Sequence, residues 1–284
     1  MLIILVFFCL FILAILSFIN GLTTLAIIFS WTALGVFFKG ITNFFLTKGP
    51  IANVLKTLQV VLLEPLALIG VYSLSFLSFF SKGPFWSKKK RTPILMVHGY
   101  INFASVWLFH KRRLLKMGYG PIYTINLGYP FHGIDTYARK LHKKIKKIAR
   151  QTKRSDIILI GHSMGGLVSS QYFLKYAEKG TVKAIITLGT PLKGTKVAKL
   201  GVGKCARQMR ENSSFIKNLK DNLPEKIFYN VVTKKDQLVI PYRSGLITGD
   251  RGKRYVLDDI GHASLLYSTR VSKKLGRWLR DIVT

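Results

Sequence analysis

Hydrophobic residues are arranged in two regimes along this 284-residue chain. Up to about residue 81 they form long unbroken blocks, and beyond it they come in short bursts separated by polar, lysine-rich segments. Met1 to Ile19 holds no charge, and after an Asn20-Gly21 break Leu22 to Phe38 is again uncharged up to Lys39. A third apolar stretch, Leu58 to Phe80, is interrupted by Glu64-Pro65 and closes on Lys82 and Lys88-Lys89-Lys90-Arg91. A helix needs about 17–25 apolar residues to cross a bilayer, so the first two stretches predict membrane helices. The third reads as a span, a re-entrant segment or an interfacial one. A cleaved signal peptide fits less well, because no basic residue precedes the first block and no small-x-small site precedes a polar stretch. Glu64 reads as a snorkelling or protein-facing carboxylate rather than an intramembrane site. Residues 1–91 are thus expected to form a hydrophobic membrane-anchoring region, and 92–284 a separate domain.

In the second regime the period alternates between that of strands and that of helices. Pro93 to Val97, Ile122 to Asn126, Ile157 to Ile160, Ala184 to Leu188, Ile227 to Val232 and Arg254 to Leu257 read as buried strands. Between them, Ile134 to Ala149 carries Ile134, Tyr137, Leu141, Ile145 and Ile148 at helical spacing. Leu167 to Tyr176 and Val271 to Ile282 read as further helices. This alternation predicts an α/β fold, a mostly parallel sheet with helices on both faces. The thirty or so residues between Thr195 and Lys226 suffice for a small cap but not for a separate lid domain.

Gly161-His162-Ser163-Met164-Gly165-Gly166 joins one such strand to one such helix. A serine held between glycines at a strand-to-helix turn is the nucleophile elbow, which exposes the hydroxyl at the carboxyl edge of a sheet. Acyl transfer at Ser163 needs a base, an acid to orient that base, and donors for the oxyanion. The only histidine downstream of the elbow is His262. The acids downstream are Glu178, Glu211, Asp221, Glu225, Asp236, Asp250, Asp258 and Asp259. Of these, Asp236 alone follows a strand by a short polar loop, which would place it at the same edge as Ser163. The run ending in His98-Gly99 leads into a loop whose Tyr100 N–H can oppose that of Met164, making an oxyanion hole. Trp107 and Phe131 are candidates to border an acyl pocket, with core packing as the alternative. His162 reads as a packing residue directed away from the serine.

These pieces resemble the α/β-hydrolases, and more narrowly the bacterial triacylglycerol lipase/esterase branch. The resemblance is carried by Val97-His98-Gly99-Tyr100, the GHSMGG elbow, Leu188-Gly189-Thr190-Pro191-Leu192-Lys193-Gly194-Thr195, Asp236 ahead of Val239-Ile240-Pro241, and Ile260-Gly261-His262. It implies an α/β-hydrolase fold with Ser163, Asp236 and His262 as the triad and Tyr100 and Met164 as oxyanion donors. Where that branch often has histidine, this chain has Leu192.

The formal charge of +32, from 44 Lys and Arg against 12 Asp and Glu, changes the expected setting. The first 81 residues hold only Lys39, Lys48, Lys56 and Glu64, so nearly all of it lies downstream, densest from Arg139 to Arg154. Such a surface is drawn to polyanions, and beside an apolar anchor the expected partner is anionic lipid rather than nucleic acid. The basic cluster does not by itself fix which side of the membrane the domain faces. Cys9 and Cys205 fall in different regions, so an intramolecular disulfide is not expected. The sequence thus predicts a membrane-anchored serine hydrolase of carboxylic esters, with lipid esters favoured and neither metal nor organic cofactor needed. An acyltransferase would share the acyl-enzyme, and a silent scaffold binding polyanions would keep the fold without the chemistry.

Overall fold

The computed structural model describes residues 50–73, 91–247 and 253–283. The two apolar stretches before Lys39, together with Cys9, Lys88-Lys89-Lys90 and Asp250, lie outside those residues. The chain divides into two units, Met1–Gly70 and Val71–Thr284. Most of α1, Pro50–Ser73, belongs to the first. This helix runs on through Glu64-Pro65, although Pro65 removes one backbone donor from its ladder. No helix among the described residues is long and apolar enough to cross a membrane. A span over the third apolar stretch is therefore not found within residues 58–73.

The second unit is built on six strands: β1 (Ile94–Val97), β2 (Ile122–Ile125), β3 (Ile157–His162), β4 (Val182–Leu188), β5 (Phe228–Thr233) and β6 (Lys253–Leu257). They form one sheet in the order β2-β1-β3-β4-β5-β6, with every neighbouring pair parallel. The helices are α2 (Leu108–Lys116), α3 (Ile134–Thr152), α4 (Met164–Tyr176), α5 (Gly203–Gln208), α6 (Ser214–Asn222) and α7 (Thr269–Val283).

A parallel sheet buried on both faces needs apolar residues at every position of its central strands, and β1 is buried at all four of its residues. Side chains alternate between faces along a strand. Leu95, Val97, Leu159, Ile185 and Phe228 join Leu141, Ile145 and Ile148 of α3 and Leu167, Val168 and Tyr172 of α4 in one cluster. The residue after Phe228, Tyr229, instead meets Trp278 of α7, ring centroids 5.3 Å apart. Helices thus cover both faces. On the α7 side, His110 of α2 bridges two segments: its Nε2–H donates to Leu265 O at 2.9 Å, and its Nδ1 accepts from Ser272 Oγ at 2.8 Å. Both nitrogens are used in the neutral form, and burial lowers the ring's pKa to about 4.

The segment between Thr195 and Lys226 is helical: a 3₁₀ turn at Lys196–Lys199, then α5 and α6. The short amphipathic α2 was not anticipated, since its run of Lys111, Arg112 and Arg113 masks the apolar spacing.

Candidate active site

Because all strands run the same way, the loops after β1, β3, β4 and β5 meet at one edge of the sheet. At the end of β3 the backbone turns at Ser163 with φ 53° and ψ −128°, a region that costs an L-residue of order 1–3 kcal/mol. Packing enforces the turn. Cβ atoms added at Gly161, Gly165 and Gly166 would strike the α4 backbone, the β1 carbonyls and the Thr190 side chain respectively. The Ser163 N–H donates to Leu188 O at 2.8 Å, tying the elbow to β4.

Across from it, His262 Nδ1–H lies 2.9 Å from both Oδ1 and Oδ2 of Asp236, with the two side chains almost fully buried, 4% and 2% exposed. Asp236 is itself fixed, its Oδ1 accepting from the N–H groups of Leu238 at 2.9 Å and Val239 at 2.7 Å. Gln237 Oε1 accepts from the His262 N–H at 3.1 Å. Gly189, at φ +54°, lies under the pair: a Cβ there would come within 3.1 Å of His262 Nδ1 and 3.2 Å of Asp236 Oδ2.

The loop after β1 completes the edge. A Cβ on Gly99 would fall 2.9 Å from Ser163 Cβ, so Tyr100, the next residue, is brought beside the serine. Met164 opens α4, where N–H groups have no partner within the helix. Ser163, Met164, Tyr100, Asp236 and His262 are therefore all held at one sheet edge.

Residues 126–233 match the PGAP1-like alpha/beta domain family. The chain is 25% identical over 115 residues to the human serine hydrolase-like protein, covering 38% of this chain and 54% of that one. It is 30% identical over 116 residues to the triacylglycerol lipase of Pseudarthrobacter phenanthrenivorans, covering 38% and 35%. The chain thus matches about half or less of the length of these relatives. Among solved structures, a Bacillus licheniformis lipase in mature form superposes with TM-score 0.58 at 17% identity, over 72% of this chain and 96% of that one. The fold is that of the α/β-hydrolases.

Around the site, several side chains act as supports. His98 holds the β1 loop. Its Nδ1–H donates to Gly99 O and its Nε2 accepts from Leu127 N–H, each at 2.9 Å, and burial lowers its pKa to about 4. His162 is not directed away from the whole site: its ring lies 4.7 Å from that of His262, and its Nε2–H reaches His262 O at 3.3 Å. Burial first, then the neighbouring His262, push its pKa well below the usual histidine value. Strand alternation was the available signal, since His162 shares a face with Ile158 and Ile160. Thr195 braces the Asp236 loop, donating from Oγ1 to Leu238 O at 2.8 Å and accepting from Ile240 N–H at 3.0 Å.

The two pocket candidates differ in place. Trp107 is fully buried, in the core beside His110. Phe131 is half-buried between Tyr100 and Tyr129, ring centroids 6.3 and 5.4 Å away. The cap is tied to the same loops. The Tyr100 hydroxyl donates to Val202 O at 2.8 Å and accepts from Val202 N–H at 3.1 Å. Lys204 N–H donates to Phe131 O at 3.0 Å. Leu192 is buried in the core, and Cys205 is a buried free thiol that donates to Pro130 O.

Proposed function

We propose that this chain is a serine hydrolase of carboxylic esters, acting on lipid esters at a membrane. Ser163 Oγ attacks the ester carbonyl while His262 takes its proton through Nε2, and Asp236 fixes the Nδ1–H tautomer. The tetrahedral oxyanion is met by the N–H groups of Tyr100 and Met164. His262 then returns the proton to the leaving alcohol, and water, deprotonated in turn by His262, releases the acid. The observation that carries this reading is the buried His262–Asp236 pair at the edge where the strained elbow presents Ser163.

Support for a lipid substrate comes from the rim of that edge. Ile101, Phe103, Tyr129, Leu200, Val202, Leu238 and Ile240 are all exposed there, in the loops after β1, β2, β4 and β5. Exposed apolar side chains gathered around one mouth favour a water-insoluble partner. The uncharged stretches before Lys39 and the net positive charge are the grounds for membrane attachment and for anionic lipid around it.

The test is covalent labelling of the full chain in detergent with a fluorophosphonate, which reports an activated serine. Wild type should label, and Ser163→Ala and His262→Ala should not. A folded wild type that stayed unlabelled would overturn the reading. For the substrate, kcat/KM on p-nitrophenyl esters should rise from acetyl to long acyl chains, and a preference for acetyl would remove the lipid assignment.

A further inference from the structure

A concavity lies at the other edge of the sheet. Its volume is about 740 Å³, and Arg91, Arg154, Lys273, Arg277 and Arg280 line it together with Tyr119. Arg91 precedes β1, Tyr119 precedes β2 and Arg154 precedes β3, so this cleft belongs to the amino edge of a parallel sheet, away from Ser163. Lys273, Arg277 and Arg280 recur at i, i+4 and i+7 along α7, whose opposite side, Val271, Leu275, Trp278 and Leu279, is buried. Like charges at that spacing repel one another along a helix, and Arg91 adds to the same field from another segment, whereas Arg154 is offset by Asp156.

The walls are braced. Arg154 donates from Nε to Asp156 Oδ1 at 2.7 Å and from Nη2 to Oδ2 at 2.9 Å, and Thr92 Oγ1 donates to the same Oδ2 at 2.7 Å. The Arg91 guanidinium lies 5.7 Å from the centroid of the Tyr119 ring, whose hydroxyl donates to Gly276 O at 2.6 Å.

We propose that this cleft is a binding site for a phosphate-bearing anion, separate from the hydrolytic site. Planar guanidinium groups match phosphate oxygens in pairs, which a carboxylate offers only once. The concavity has room for more than a single ion, as a pyrophosphate or a phospholipid headgroup would need.

The experiment uses the full chain in neutral detergent micelles at about 0.15 M salt, where weak surface attraction is screened. Calorimetric titration with inorganic pyrophosphate forms one arm, and micelles doped with phosphatidic acid the other. Arg277→Gln/Arg280→Gln is compared with Lys146→Gln/Lys147→Gln, two exposed cations on α3. Wild type and the α3 pair should bind alike, while the cleft pair binds about tenfold more weakly, as expected for lost charge-assisted contacts. Cleft-dependent binding of pyrophosphate assigns a free phosphorylated solute. Cleft-dependent binding of phosphatidic acid alone assigns a lipid headgroup. Equal weakening by both pairs, or no binding of either probe, overturns the proposal. Fluorophosphonate labelling of the cleft variant should remain at the wild-type level, which reports folding and keeps the two sites' tests apart.

Discussion

Asp236 shows how much one carboxylate controls. Its Oδ1 is held by the Leu238 and Val239 N–H groups, and Oδ2 stands 2.9 Å from His262 Nδ1. In Asp236→Asn the loop donors keep the carbonyl oxygen, so the new NH₂ group faces the ring. It donates where an acceptor is needed, the proton moves to Nε2, and the base is lost to Ser163. The kcat should fall by about 10⁴ with the fold intact. A smaller drop than about tenfold would remove Asp236 from its assigned role. Gly99→Ala tests the other side of the serine. Its methyl would lie 2.9 Å from Ser163 Cβ, closer than such atoms approach, and would displace the Tyr100 N–H. Labelling should slow by about 10²-fold, the worth of one oxyanion donor, while far-ultraviolet circular dichroism stays that of wild type. At this scale the placement was legible in the chain: a serine between glycines, one downstream histidine and one acid after a strand come to the same sheet edge. His162 and Thr195 were not, because their roles depend on contacts across about 100 and 43 residues of sequence.

Among the elements, the strands were readable because burial on both faces leaves continuous apolar runs, and observed ends lie within about two residues of those expected. α2 escaped because it buries His110 and Lys111. Buried Lys111 has its pKa pushed down to about 8, by burial and then by Lys144. No periodicity of apolar residues marks such positions. The cap helices escaped for a related reason: α5 has only six residues and is positioned by hydrogen bonds to loops, such as Gln208 Oε1 accepting from Ile134 N–H at 2.7 Å. The Tyr100 hydroxyl is one such tie. Tyr100→Phe keeps the backbone N–H and cuts both bonds to Val202. We expect KM for long-chain esters to change by about fivefold, the net worth of one or two hydrogen bonds, with fluorophosphonate labelling near wild type. A large loss of labelling would instead show that the phenol holds the oxyanion loop itself.

The whole molecule should carry a pH signature from its interior. His98 and His110 are neutral in the fold, with pKa values lowered from 6.5 to about 4 by burial. As pH falls, the unfolded chain takes up these protons first. Their stabilisation is full above about pH 6.5 and is lost progressively as pH falls towards 4, roughly 3 kcal/mol for each ring. The thermal midpoint should drop between pH 7 and pH 4, and His110→Gln should flatten that slope; an unchanged slope would reject the assignment.

The order of the site residues along the chain has a consequence for biosynthesis. Tyr100, Ser163, Asp236 and His262 leave the ribosome in that sequence, so the proposed general base, His262, is the last of the four to be made. Until residue 262 has been added and its loop has docked against β5, the proposed nucleophile Ser163 would lack its proposed base. On the proposed reading, a nascent or prematurely released chain would be inert towards esters until its synthesis has passed that point.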